Sequence, residues 1–385
     1  MKSLLLIICT VTLFACVDQS TGERAKQFQS ELAQIREQYG FPGITAAYVL
    51  RDGTDGTAAS GLADVEEQQP MTENSHMLAA SIGKSFVGAL SIALAMEGRL
   101  ALDEPVTRWL GKYDWFKRLP NHKTITLRHL LTHSAGLSDH VYMEAFHKAF
   151  ASEWQTAGNP FPPKRLVEFI LDKPALFPAG QGWAYSDTGY ILAGMVIEEA
   201  TGHTYYDEVS RRFLKPLGLS HTSPADRRKL EGLVAGYLQP ENPFGLPAKT
   251  LDKNGHLHWH PGLEWTGGGL ISNSRDLAHW GAALFNGKAL PGDYLTELFR
   301  AVAVDPKTTN IRYGAGVTIY TSGPFGPVYG HSGWIPGYIS SLRHYSDSGV
   351  TIAFQINTDS GAIAGDKNIP RQIEERLLQV VIRQK

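Results

Sequence analysis

Segments that read as β-strand sit at the two ends of this chain and helical patterning lies between them, a distribution that constrains the fold more than any other feature. Near the N-terminus, Ile44 to Leu50 is rich in β-branched and apolar residues, and an Arg51-Asp52-Gly53 turn leads to Ala58 to Leu62, its hairpin partner. Far downstream, Gly314 to Tyr320, Val328 to Ser332, Tyr338 to Tyr345 and Val350 to Ile356 are spaced like successive antiparallel strands. The two ends are therefore expected to share one antiparallel sheet, giving an α+β fold with helices flanking that sheet. The middle, roughly 100–270, mixes helices with Pro and Gly loops and is expected to form a mainly helical lobe, with the site in the cleft between.

Helix signals support that division. Phe28, Leu32, Ile35 and Tyr39 recur at helical spacing until Gly40 and Pro42 end the run, and Ser81 to Glu97 reads as a buried helix closed by Gly98. His129 to His133 falls on another helical turn, and Ile373, Leu377, Val380 and Val381 mark a final amphipathic helix.

The 385 residues carry 36 Lys+Arg against 38 Asp+Glu, a net charge of −2. No basic excess exists to neutralise phosphates, which argues against a nucleic-acid partner or a polybasic membrane binder. Both cysteines, Cys9 and Cys16, lie at the extreme N-terminus, so nothing downstream can form a disulfide. Lys2 followed by an apolar run to Ala15 reads as a secretory leader over 1–15, too short for a permanent membrane span. Leu13-Phe14-Ala15-Cys16 resembles a bacterial lipoprotein processing box, with Cys16 as the lipidation candidate and simple secretion as the alternative. Residues 16–24 then read as a tether and 25–385 as the folded domain. A chain that discards Cys9 and modifies Cys16 suits an oxidising envelope.

The sharpest local feature is Ser81-Ile82-Gly83-Lys84, opening the apolar helix. Residues at i and i+3 share a helix face, so the Lys84 ammonium can lie beside the Ser81 hydroxyl near a helix N-terminus that favours developing negative charge. A desolvated Lys84 with a lowered pKa would accept the serine proton; a charged one would stabilise the alkoxide instead.

Tyr185-Ser186-Asp187 and His331-Ser332-Gly333 follow in the order seen in the penicillin-recognising serine hydrolases. From about Gln27 to the last helix the chain resembles their class C β-lactamase, D-alanyl-D-alanine carboxypeptidase and esterase group. Supporting segments are Thr126 to Leu137, Phe177-Pro178-Ala179-Gly180, Lys215 to Leu219 and Gly267-Gly268-Gly269-Leu270. The resemblance implies Ser81 as acylated nucleophile, Lys84 as its proton acceptor or electrostatic partner, and Tyr185 as a proton shuttle, with Lys84 and Tyr185 both open as the base. It also implies an oxyanion hole from the backbone N–H groups of Ser81 and Trp334, substrate contacts from Asp187, His331, Ser332 and Gly333, and neither metal nor organic cofactor.

Two departures direct the substrate expectation. His331-Ser332-Gly333 stands where β-lactamases of this group usually have Lys-Thr-Gly, and Asp187 stands where they usually have Asn. Losing the fixed charge of a lysine weakens the grip on a β-lactam carboxylate, and an ionised Asp187 accepts hydrogen bonds without donating them. Hydrolysis of another ester or amide, from a small molecule or a D-amino-acid peptide of peptidoglycan type, is therefore expected ahead of β-lactam hydrolysis. A sensor that is acylated without turnover is the competing reading from another class.

Other patterns fail on spacing or context. A phosphate loop needs glycine where Leu78 stands, and Gly330-His331-Ser332-Gly333-Trp334 is not followed by the acid and histidine of an α/β-hydrolase triad. His129 and His133 lack the glutamate of a zinc protease and suit structural or capping roles. His256, His258 and His260 alternate as on a strand, yet read better as a polar loop near the cleft mouth, where Trp259 and Trp265 either shape the pocket or simply pack.

Overall fold

The computed structural model describes residues 5–383 apart from 157, 240 and 360–367, with side chains from Gly22 onward. The expected leader and Cys16 thus lie outside the residues whose side chains are described. Among the described residues, no helix is long and apolar enough to cross a membrane.

The ends of the chain do meet in one sheet. Its nine antiparallel strands run, in spatial order, Gln69–Pro70, Asp55–Asp64, Gly43–Val49, Val350–Ile356, Tyr338–Tyr345, Val328–Ile335, Thr318–Tyr320, Thr308–Tyr313 and Val302–Asp305. The closure is the pairing of Gly43–Val49 with Val350–Ile356, in the register Ile44 to Ile356 and Ala47 to Ala353. Every residue of those two strands is buried, because helices cover both faces. On one face Phe28, Leu32 and Ile35 of the N-terminal helix and Ile373, Leu377 and Leu378 of the C-terminal helix Ile369–Ile382 pack on Ile44, Tyr48, Ile352 and Phe354. On the other, Leu277, Trp280 and Leu284 of helix Ser274–Phe285 and the helix Lys84–Met96 join the main core with Ala47, Leu342 and Ala353. Between the strand sets lies the segment containing helix Asp187–Thr201 and many short helical turns, with a small sheet of Met77–Leu78, Leu270–Ser272 and Ser223–Pro224 joining it to the nucleophile region.

Three details differ from the sequence expectation. The first helix runs Leu5–Tyr39, so the 16–24 stretch read as a tether is drawn into it, consistent with the helix formers Glu23 to Gln27 that follow Gly22. Ser81 does not begin a continuous α-helix; it sits in a 3-10 turn, Ala80–Gly83, and the α-helix starts at Lys84. The strands Val302–Asp305 and Thr308–Tyr313 extend the sheet where no alternation was evident, because the first is half-buried throughout at the sheet edge and the second is exposed along its first half.

Candidate active site

Lys84 is completely buried, and three separate segments converge on its ammonium. It donates to Ser81 Oγ at 3.0 Å, to the carbonyl oxygen of Gly267 and, as an ion pair, to Asp187 Oδ1, the first residue of helix Asp187–Thr201. The rings of Tyr185 and Tyr190 complete its surroundings at 5.0 and 5.3 Å. Desolvation favours a neutral amine, but the Asp187 carboxylate and the Tyr185 oxygen outweigh it and hold the pKa well above the usual lysine value. Of the two roles left open by the sequence, a base of lowered pKa or a charged partner, this environment favours the second: Asp187 holds Lys84 as a cation. Burial pushes the Tyr185 phenol up as well, so it stays protonated at neutral pH. Its hydroxyl lies 2.9 Å from Ser81 Oγ, and the serine oxygen is gripped from two sides.

Glycine permits this convergence. A Cβ on Gly268 would lie 2.4 Å from the Ala80 carbonyl carbon and 2.9 Å from Ser81 N. One on Gly333 would meet Ala79 O and Ser340 Oγ, both at 2.3 Å. Gly333 thus lets strand Val328–Ile335 lie against the nucleophile turn, where the Ser340 hydroxyl donates to Ala79 O at 2.7 Å. Ala80 itself adopts the left-handed region at φ 48°, costly for a residue with a Cβ and held here by surrounding contacts.

His331 lines the cavity yet is only 5% exposed, and burial lowers its pKa to about 3. Its Nδ1 lies against the carbonyl of Ser332, which can only accept, so Nδ1 carries the proton and Nε2 accepts from the Tyr313 hydroxyl at 2.7 Å. His331 is therefore a neutral spacer with both nitrogens engaged, not a cation facing the substrate. Ser332 is exposed, and its Oγ accepts from Arg343, whose charge faces Glu374 at 3.2 Å. Trp334, 39% exposed, sits at the cavity mouth beside Phe244.

The other histidines singled out in the sequence resolve as structure. His129 completes a capping box with Thr126. His133 accepts from Ser186 N–H and stacks 4.1 Å from the Tyr185 ring, which it braces. His256, His258 and His260 lie on irregular backbone: His258 meets Trp154 edge-on, and His260 Nδ1 caps Gly262 N–H. Trp259 lines the cavity, whereas Trp265 packs on Tyr205. Sequence reasoning missed Asp139, Glu264 and Tyr313, none of which belongs to a local pattern.

Ser81 and Tyr185 face a cavity of about 390 Å³, lined also by Asp187, His331 and a majority of apolar and aromatic side chains. The family model described as beta-lactamase matches residues 28–375. The chain belongs to this beta-lactamase family. Penicillin-binding protein 4* of Bacillus subtilis is 27% identical over 87% of this chain and 72% of its own length. Esterase EstB of Burkholderia gladioli is 33% identical over 42% of this chain and 41% of its own. Among solved structures, a D-stereospecific amidohydrolase from a Streptomyces species superposes with a TM-score of 0.74 at 28% identity, covering 93% of this chain and 99% of that one. D-amino acid amidase from Ochrobactrum anthropi gives 0.77 at 25%, covering 94% and 99%. The family is one of serine hydrolases with the β-lactamase fold, including esterases and amidases.

Two measurements test this electrostatic picture. Asp187→Ala strands a buried ammonium and is expected to lower the unfolding free energy by about 3 kcal/mol, the low end for a buried pair because Asp187 keeps some contact with solvent. Denaturant titration checks it, and a loss below about 1 kcal/mol would contradict the pairing. Burial likewise lowers the pKa of His344, whose Nδ1 lies 2.8 Å from Thr351 Oγ1 in the sheet; the folded-state values of His331 and His344, about 3 and about 4, lie below the unfolded value, so each contributes stability present above about pH 6.5 and lost as pH falls. Ring-proton NMR shifts of both should stay flat between about pH 8 and pH 5; a midpoint near 6.5 for either would show an open, hydrated ring.

Proposed function

We propose that the protein hydrolyses an ester or amide through an acyl intermediate on Ser81. The observation that carries this reading is one oxygen, Ser81 Oγ, held 3.0 Å from a buried ammonium and 2.9 Å from a half-buried phenol at a cavity wall. In the first half-reaction Ser81 Oγ attacks the substrate carbonyl carbon. The serine proton passes to the Tyr185 oxygen as Tyr185 gives its own proton to the leaving oxygen or nitrogen, so the phenol relays a proton without becoming a free phenolate. Lys84 stays charged throughout and stabilises the negative charge developing on Oγ. Backbone N–H groups of Ser81 and Trp334 receive the carbonyl oxygen, a role supported by the close seating of Gly333 on the nucleophile turn. Water then attacks the acyl-serine, giving its proton to Tyr185 while Tyr185 returns one to Ser81, which releases the acid.

The substrate class follows from what the cavity lacks. Among its described lining residues none is lysine or arginine, and the nearby Arg343 is matched by Glu374. A β-lactam or a peptide ending in a free carboxylate would find no unpaired cation there. A short ester or an amide such as a D-amino-acid derivative suits the site better, in line with the esterase and amidase relatives. The N-terminal apolar run and Cys16 support a place in the bacterial cell envelope, with a lipid anchor at Cys16 and peptidoglycan-derived molecules as nearby substrates.

Steady-state turnover of a panel of short esters and amides tests the mechanism. Ser81→Ala is expected to abolish turnover with the fold retained by circular dichroism, and Tyr185→Phe to slow it by roughly 10²–10⁴-fold, the range for a lost proton relay. Near-normal rates in Ser81→Ala would overturn the reading.

A further inference from the structure

The cavity around Ser81 holds more carboxyl groups than its one ammonium can balance. Lys84 is committed to Asp187, yet Asp139 and Glu264 also line the cavity. Asp139 is closed in: its two oxygens accept the backbone N–H groups of Val141 and Asp187, each at 3.1 Å, and its side chain is 3% exposed. Glu264 stands apart. It follows the turn begun by Pro261 and precedes the strained Trp265, at φ 37°, on the loop that delivers Gly267 to Lys84. Its carboxyl, on a residue still partly open to solvent, has no hydrogen bond or ion pair with any described residue, and desolvation with the Asp187 carboxylate pushes it up to about 8. The same two causes push Asp139 up to about 7. Carboxyls raised together beside an engaged lysine mark a pocket short of positive charge.

The walls point the same way. Phe244, Trp259, Phe150 and Tyr142 face the cavity with Trp334, and Tyr142 is 75% exposed at its mouth. Aromatic faces attract cations and pack apolar side chains, whereas they offer nothing to a carboxylate.

From this arrangement we infer that Glu264 is the recognition group for a primary ammonium on the substrate, so that the protein selects esters or amides bearing a free amino group and an apolar or aromatic side chain. This rests on the acyl-serine reading and narrows it. Substrate binding supplies the missing cation: the ammonium pairs with the Glu264 carboxylate, which loses its proton to solvent where it was protonated, and the side chain lies along the aromatic wall. Glu264 is a specificity residue, acting on binding and orientation and not on the reacting atoms.

The test is calorimetric binding to Ser81→Ala protein near neutral pH, which removes turnover from the readout. The probes are the two enantiomers of phenylalaninamide and hydrocinnamamide, the same skeleton without the amine. At least one enantiomer is expected to bind on the order of 10–100-fold more tightly than hydrocinnamamide, the range for a hydrogen bond to a charged group. Adding Glu264→Gln should bring the ratio close to one. Equal binding of amine and isostere, binding of neither at millimolar concentration, or a ratio untouched by Glu264→Gln would each overturn the inference. A charge-conserving Glu264→Asp variant, expected to keep most of the preference, guards against loss of the loop as the cause. Failure here leaves the acyl-serine reading standing, since turnover by the unmodified protein is measured separately.

Discussion

An ammonium sealed from water inside a protein must be surrounded by acceptors, and Lys84 sets the rest of this site by that requirement. Ser81 lies one turn away on its own segment, and two further partners come from segments remote in sequence: the first residue of the helix at Asp187 and the carbonyl of Gly267. Bringing three backbones this close leaves no room for side chains where they touch, and glycine stands at Gly83, Gly268 and Gly333. The cost of burying the charge is offset by the Asp187 carboxylate, and the result is a permanent positive charge beside the serine oxygen. With Lys84 held as a cation and Tyr185 as a phenol, neither is a ready base. Proton relay through the phenol and charge stabilisation by the ammonium then divide the work between them.

The same requirement shapes the pocket beyond the serine. Asp187 satisfies Lys84, and the carboxyls of Asp139 and Glu264 are left without a cation of their own. Asp139 settles on backbone N–H groups, but Glu264 does not, and its loop cannot retreat because Gly267 and Gly268 are pinned beneath the nucleophile turn. His331 adds no charge to the balance, since Tyr313 and the Ser332 carbonyl occupy its two nitrogens. A site with a lysine at that position would be electrostatically different and better suited to a carboxylate.

Much of this was legible in the sequence, for identifiable reasons. Strands buried on both faces, such as Gly43–Val49 and Val350–Ile356, read as mostly apolar, β-branched-rich runs, so the joining of the chain ends in one sheet followed from their positions. Ser81, Lys84 and Tyr185 are brought to one point, as the order of their motifs implied. What escaped was whatever depends on partners distant in sequence. The strand Thr308–Tyr313, next to the sheet edge, is exposed along its first half, and its residues lack a periodic pattern. The sequence linked an ionised Asp187 to a charged Lys84 but could not show that the two touch, and burial of His331 was invisible without its partner Tyr313. Glu264 lies in no motif; only the folded loop brings its carboxyl to the cavity.

The central claim is that this environment activates Ser81, and covalent trapping with a small neutral fluorophosphonate addresses it without a choice of substrate. Intact mass followed by peptide mapping is predicted to show one adduct, on Ser81. No adduct on folded protein, or an adduct on Ser332, would contradict the account.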